Sequence, residues 1–361
     1  LWKTADGGKS WNSLTDEMPS LGTSSISIHP TNNQEILVGT GDRDHSDARG
    51  IGVIRTTDGG ATWQLSNTGM GELTVGMMDR NSTDPNFILA ATSNGIYKSI
   101  DGGKNWARKS TINTSYKDIK FKPGSGTVAY ASTASGNIGF FRTEDAGETW
   151  IQVPDSCGAP VKGRIVIAVT PAAPNLVYQA VGDPFCCYAS QDEGKHFAVQ
   201  ATTPNVLGYS SDGSDNGGQT WYDLCIVADP VQAQIVYVGG INLWRSDNSG
   251  KNWRIIGHWT GSGANEIHAD QHTYYINPVN NRLYAGNDGG IYYSDNKGTS
   301  WKEISVGLGI GQIYRLGVSA TNPHKIMAGF QDNGSATYTG NEWITVGGGD
   351  GMEAAVDPQD Y

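Results

Sequence analysis

TTDGGATW, from Thr56 to Trp63, decides the fold, because the same eight-residue pattern recurs along the chain. It places a hydroxyl residue first, an acid or amide third, glycine fifth and an aromatic eighth. Close copies are TADGGKSW from Thr4, SIDGGKNW from Ser99 and TEDAGETW from Thr143. Looser copies are SQDEGKHF from Ser190, SDNSGKNW from Ser246 and SDNKGTSW from Ser294. The closing aromatics, Trp11, Trp63, Trp106, Trp150, Phe197, Trp253 and Trp301, lie roughly 43 to 56 residues apart, about the length of a propeller-blade repeat. Asp-Gly-Gly and Asn-x-Gly between apolar runs predict a tight hairpin. Glycine supplies positive φ, and the Asp or Asn side chain accepts backbone N–H bonds. The third-position residues Asp6, Asp58, Asp101, Asp145, Asp192, Asn248 and Asn296 are therefore read as turn builders.

Between these turns a second pattern repeats. An apolar strand ends near a proline, turns and is followed by another apolar strand, as in RIVIAVTPAAPNLVYQA and DLCIVADPVQAQIVYVGG. A third strand enters the box and a fourth leaves it. Each repeat thus holds four antiparallel strands, A to D, with the box as the C–D hairpin. No segment has a helical period. Such units cannot bury their faces alone and stack in a ring. The prediction is an all-β propeller of about seven to eight blades occupying residues 1–361. Seven complete units are counted, with C and D strands at the N-terminus and an A strand begun by GMEAAVDPQDY. GFQDNGSATYTGNEW reads as a further C–D hairpin with a broken box. Because the chain opens at Leu1 directly before a box, it reads as a mature or incomplete piece of something longer.

Composition agrees with many short strands: 49 glycines, 11 tryptophans and 16 tyrosines in 361 residues. The net charge of −11 argues against a nucleic-acid partner, whose phosphates need a basic surface. No run is long and apolar enough to span a membrane as a helix, and no signal peptide is visible. The four cysteines, Cys157, Cys186, Cys187 and Cys225, lack zinc-site spacing. Cys157 falls on the same face as the Cys186–Cys187 pair, so a bridge to either is one expectation; reduced, buried thiols are the other.

In a propeller the boxes and A–B turns occupy one face, and the D–A and B–C loops the other. Function is expected on the loop face, where the repeats diverge. The first B–C loop, GTGDRDHSDARG, carries Asp42, Asp44 and His45. The longest D–A insertion runs from about Val199 to Tyr222, and long loops in compact folds are more often functional or mobile than accidental. The sharpest constellation is EIHADQH, Glu266 to His272. On a strand, His268, Asp270 and His272 would share one face and could bind a divalent metal such as zinc. Asp223, Asp350 and Glu353 lie at other strand-A starts, and Asp288 and Asp332 in B–C loops. These acids should gather at one channel mouth. Asp223, Asp270, Asp288, Asp332 and Asp350 are catalytic candidates. His268, Asp270, His272, Asp288, Asp332 and Glu353 are ligand-binding candidates. The competing reading is a hydrated polar channel whose acids satisfy backbone N–H groups.

The repeated octapeptide resembles the Asp-box, or BNR repeat, over the whole chain. With HADQH, NDGG and QDNG at His268, Asn287 and Gln331, the chain resembles sortilin-type propellers, above all large secreted bacterial repeat proteins carried by type IX secretion. In such families the box is a peripheral fold element with no catalytic part. The resemblance implies a secreted or cell-surface chain, with secretion machinery or other surface proteins as partners. Sialidases share the box, but their arginine triad is absent: Arg55, Arg142 and Arg245 all precede boxes. Xyloglucanase-type glycoside hydrolases resemble the chain more in repeat style. They use paired aspartates between two seven-bladed propellers, one within an Arg-Thr-Asp-Ile-Gly-Gly type segment, to which Asn287–Gly290 is the nearest match. The leading expectation is therefore a binding or adhesion module for glycan or protein, more likely a non-enzyme than an enzyme. The alternative is a glycoside hydrolase.

Overall fold

The computed structural model describes residues 1–44, 47–133, 139–154, 163–182 and 184–357. Among these residues every regular element is a β-strand. A two-stranded hairpin comes first, β1 (Trp2–Lys3) with β2 (Asn12–Ser13). Seven four-stranded antiparallel sheets follow, each built from consecutive strands. They are β3 (Thr23–His29), β4 (Asn32–Thr40), β5 (Val53–Thr56) and β6 (Gln64–Leu65); then β7 (Val75–Arg80), β8 (Ile88–Thr92), β9 (Gly95–Ser99) and β10 (Ala107–Arg108). The third holds β11 (Tyr116–Phe121), β12 (Ala129–Thr133), β13 (Phe140–Thr143) and β14 (Ile151–Val153), and the fourth β15 (Ile165–Val169), β16 (Val177–Val181), β17 (Cys186–Ser190) and β18 (Ala198–Ala201). The fifth holds β19 (Cys225–Ala228), β20 (Val236–Gly239), β21 (Leu243–Ser246) and β22 (Arg254–Gly257). The sixth holds β23 (Gln271–Ile276), β24 (Leu283–Asn287), β25 (Gly290–Ser294) and β26 (Lys302–Glu303), and the seventh β27 (Ile313–Val318), β28 (Ile326–Phe330), β29 (Ser335–Tyr338) and β30 (Trp343–Gly347). The architecture is a multi-blade β-propeller. The first strands of neighbouring sheets touch in succession from β3 to β23, which places them around a common axis.

Burial explains the stacking. Strands such as β8, β12 and β16 are buried at every residue, and their clusters span two sheets at a time. Phe87, Leu89 and Ile96 of the second sheet pack with Ile119, Phe121 and Phe141 of the third. Burying one such side chain stabilises by about 1.5–3 kcal/mol, so each sheet depends on its neighbour.

The octapeptide turns share one hydrogen-bond scheme. In the Thr56 copy, the Thr56 hydroxyl donates to Asp58 and accepts from Gly60 N, and Asp58 Oδ1 accepts from Thr62 N at 2.9 Å. Ser99 and Asp101, and Ser246 and Asn248, repeat it. Four copies lack glycine at their fourth position, and there Ala146, Glu193, Ser249 and Lys297 take up positive φ instead. In some copies the closing tryptophan also ties one sheet to the one before it. Trp106 Nε1 donates to Ser66 O at 2.8 Å, and Trp301 Nε1 to Ile256 O at 2.9 Å.

By the same contact the N-terminal hairpin follows the sixth sheet in space. Trp11 Nε1 donates to Ile304 O at 2.8 Å, and Gly8 lies against Ile304. On its other side Leu14 lies against Gly60 of the first sheet. The hairpin therefore sits between the sixth and first sheets. The face of β3 turned away from β7 leaves Ile26 and Ile28 about half exposed. The seventh sheet is also exposed along β27 and β30. Residues 351–357 contain no strand, in contrast to the A strand expected there; Gly351 N instead bonds to Phe330 O at 2.9 Å. The Val199–Tyr222 insertion is packed rather than loose: Val206 and Leu207 join the core between the fourth and fifth sheets.

Candidate active site

The first strands of five sheets carry a β-bulge close to their start. The register skips one residue at Ser24, Gly76, Lys117, His272 and Tyr314. A bulge re-aims the extra residue away from the regular pleat. These bulges lie at the loop-face ends of the inner strands, and the chemistry collects there.

Asp270 precedes β23, Asp288 lies in the β24–β25 turn and Asp332 in the β28–β29 turn. Each offers a carboxylate oxygen, and the three oxygens lie within 4.8 Å of one another. Asp270 and Asp332 have φ of 65° and 56°, a region that non-glycine residues occupy at a cost and that recurs at functional sites. Burial, then the charges of Asp288 and Asp332, raise Asp270 to about 6. Burial, then Asp350 and Asp288, raise Asp332 as well. Three hard oxygens at this spacing could also bridge a divalent cation.

Asp288 is held from both sides. Tyr222 Oη donates to its Oδ2 at 2.8 Å, and His272 Nε2 lies 2.7 Å from its Oδ1. Burial disfavours a charged imidazole, but Asp288 and Asp44 outweigh it and raise His272 to about 9. The Tyr222 and His272 rings meet edge-on at 4.9 Å. Gln219 Nε2 donates to Asp270 Oδ1 at 2.6 Å and lies 3.4 Å from Asp223 Oδ2. Asp223 is buried, and its Oδ1 has no hydrogen-bond partner among the described residues. Burial, then the nearby Asp270 charge, raise it to about 8.

The sequence-derived set is thus brought together only in part. Asp223, Asp270, Asp288 and Asp332 converge. Asp350 touches the cluster through Oδ1, which accepts from Asp332 N at 3.0 Å. Glu353 is exposed and makes no contact with the other acids among the described residues. The proposed His268–Asp270–His272 metal face does not form, because β23 begins only at Gln271 and Asp270 is left-handed. Two-residue alternation therefore fails, and the close carboxylate set is Asp270, Asp288 and Asp332. The proposed bridge lies outside the described residues at Cys157, while Cys186, Cys187 and Cys225 are buried. Sequence reasoning missed Gln219 and Tyr222, at the end of the long insertion. An aromatic immediately before the strand-A acid Asp223 was the available signal.

No protein-family profile matches the chain. Xyloglucanase Xgh74A of Acetivibrio thermocellus is 24% identical over 284 residues, covering 68% of this chain and 33% of the relative. The chain therefore spans about a third of the length of the curated relatives it matches. Among solved structures, the GH74 xyloglucanase from Xanthomonas campestris superposes with a TM-score of 0.66 at 16% identity, covering 92% of this chain and 55% of that one. YCF48 from Cyanidioschyzon merolae gives a TM-score of 0.54 at 12% identity, over 91% and 98% of the two chains. The structural likenesses carry the propeller fold. The sequence relatives overturn the expectation of a non-enzymatic binding or adhesion module, since those relatives are enzymes of glycoside hydrolysis.

Proposed function

We propose that this chain carries part of the active site of a glycoside hydrolase acting on a β-glucan of the xyloglucan type. The observation that carries this reading is the Asp270–Asp288–Asp332 cluster, in which neighbouring carboxylates occupy unlike environments. Glycosidic cleavage needs one carboxyl that holds a proton for the leaving oxygen and another that stays charged. Asp270, raised to about 6, holds its proton in mildly acidic solution and is the general acid. Asp288, bonded by Tyr222 and the His272 cation, supplies fixed negative charge beside the developing oxocarbenium ion. Asp332 is the solvent-facing carboxylate of the three.

The substrate class rests on the xyloglucanase relatives, the acidic loop face and the absence of a sialidase-type arginine triad. A polysaccharide substrate supports a location outside the cell or on its surface. The test is the release of reducing ends from xyloglucan by the purified chain, compared with Asp270→Asn and Asp288→Asn. Equal release by all three proteins rejects the assignment of these acids. No release by the unmodified chain rejects activity of the chain by itself.

A further inference from the structure

The Arg43–Asp44 dipeptide lies in the β4–β5 loop of the first sheet, yet its partners come from four other sheets. Arg43 N bonds Ser24 Oγ at 3.0 Å within its own sheet, and the Arg43 side chain passes over Gly76, where an added Cβ would meet its Cδ at 3.4 Å. Arg43 Nη2 lies 3.5 Å from His272 O. Asp44 lies 2.8 Å from Arg164, 3.1 Å from Arg43 Nε, 3.6 Å from His272 Nδ1 and 3.9 Å from Lys117. Ser24, Gly76, Lys117 and His272 are all bulge residues of inner strands. The dipeptide is therefore seated on the ring of bulges.

We propose that Asp44 is a positioning residue: it fixes the His272 ring from the Nδ1 side, so that Nε2 is held against Asp288. An imidazole has two nitrogens on one rigid ring, so a carboxylate at Nδ1 sets where Nε2 points. Three cations, Arg43, Arg164 and Lys117, surround Asp44 and keep it charged in a buried place. His272 itself is faced by Asp44 and Asp288, by the Tyr222 ring, by the Arg43 guanidinium at its carbonyl, and more remotely by Asp223 and Asp270. The inference concerns the same reaction and rests on the hydrolase reading.

The experiment compares xyloglucan hydrolysis by the unmodified chain, Asp44→Asn and Asp44→Glu, with thermal unfolding of each. D44N keeps the shape and removes the charge; kcat is expected to fall on the order of tenfold, with KM within about twofold. D44E restores the charge and should recover most of the loss. Unchanged kcat in D44N, or a loss that D44E does not recover in a folded protein, overturns the proposal. A second measurement needs no variant at position 44. Histidine ¹⁵N spectra of the unmodified chain, assigned with His272→Gln, should show both His272 nitrogens protonated at neutral pH. An unprotonated Nδ1 overturns the proposal even if D44N does not fold. If the chain hydrolyses no xyloglucan, it is not active by itself, and the spectra still decide whether Asp44 holds the ring.

Discussion

Tyr222 donates its phenolic proton to Asp288 Oδ2 at 2.8 Å, although 66 residues separate them. One residue ends the long insertion before the fifth sheet, and the other turns the sixth. Removing the hydroxyl in Tyr222→Phe leaves an acceptor lone pair in a half-buried place. The cost of an unmade bond to a charged group is about 1.5–3 kcal/mol. Initial rates on xyloglucan are expected to fall roughly 10- to 100-fold, with the unfolding temperature lowered by only a few degrees. Wild-type rates in Y222F would remove Tyr222 from the site.

Asp270→Asn removes the proton donor. General acid catalysis contributes about 10²–10⁴-fold, and a loss of that order in reducing-end release is expected. Aryl glycosides with leaving groups that need no protonation should be hydrolysed nearly as before. Equal losses on both substrate types would contradict the acid assignment.

The proton on Asp270 also fixes a pH dependence. Its carboxyl must be protonated to act, so kcat/KM should decline as pH rises through about 6. Burial and the charges of Asp288 and Asp332 hold this carboxyl up. Asp332→Asn deletes one of those charges and should move the limb to lower pH. A limb that stays in place, or moves upward, would show that Asp332 does not act on Asp270.

Asp223 ties stability to pH. Its folded carboxyl is raised to about 8 from an ordinary value near 4. The folded state therefore holds a proton that the unfolded state has released. The stabilisation is complete below pH ~4 and is lost as pH rises through about 8. Asp223→Asn should flatten unfolding temperature against pH across that window. A slope unchanged in D223N would assign it to another group.

The octapeptide acids should behave in the opposite way. Asp58 and Asp101 bond only within their own turns. Alanine at either position is expected to lower the unfolding temperature by about 2–4 °C and leave kcat unchanged. A loss of kcat without loss of stability would bring the box face into the chemistry.

Most of the fold was legible because its signal is local and repeated. Thr56, Asp58 and Gly60 make their bonds within one turn, and the turn recurs in sequence as it does in space. The loop face was legible for a related reason: Asp270, Asp288 and Asp332 stand where repeats cease to match. Their grouping was not. A period of two assigns His268, Asp270 and His272 to one face only on a regular strand, and the positive φ at Asp270 and the bulge at His272 break that rule. Gln219, Tyr222 and Asp44 reach the site through tertiary packing, which has no period to read. The enzyme-or-binder question leaned toward the binder because four acids at a channel mouth serve either purpose, and it was the xyloglucanase relatives that turned it.

The bond from Trp11 to Ile304 spans 293 residues of sequence. Each four-stranded sheet is made from neighbours along the chain, and hairpins of that kind form in about 1–10 μs. The hairpin at the N-terminus must instead wait until the sixth sheet exists. Closure entropy grows only with the logarithm of loop length, so the delay is far larger than the thermodynamic penalty. The molecule should assemble sheet by sheet, with the bond from Trp11 to Ile304 fastened only once the sixth sheet is in place.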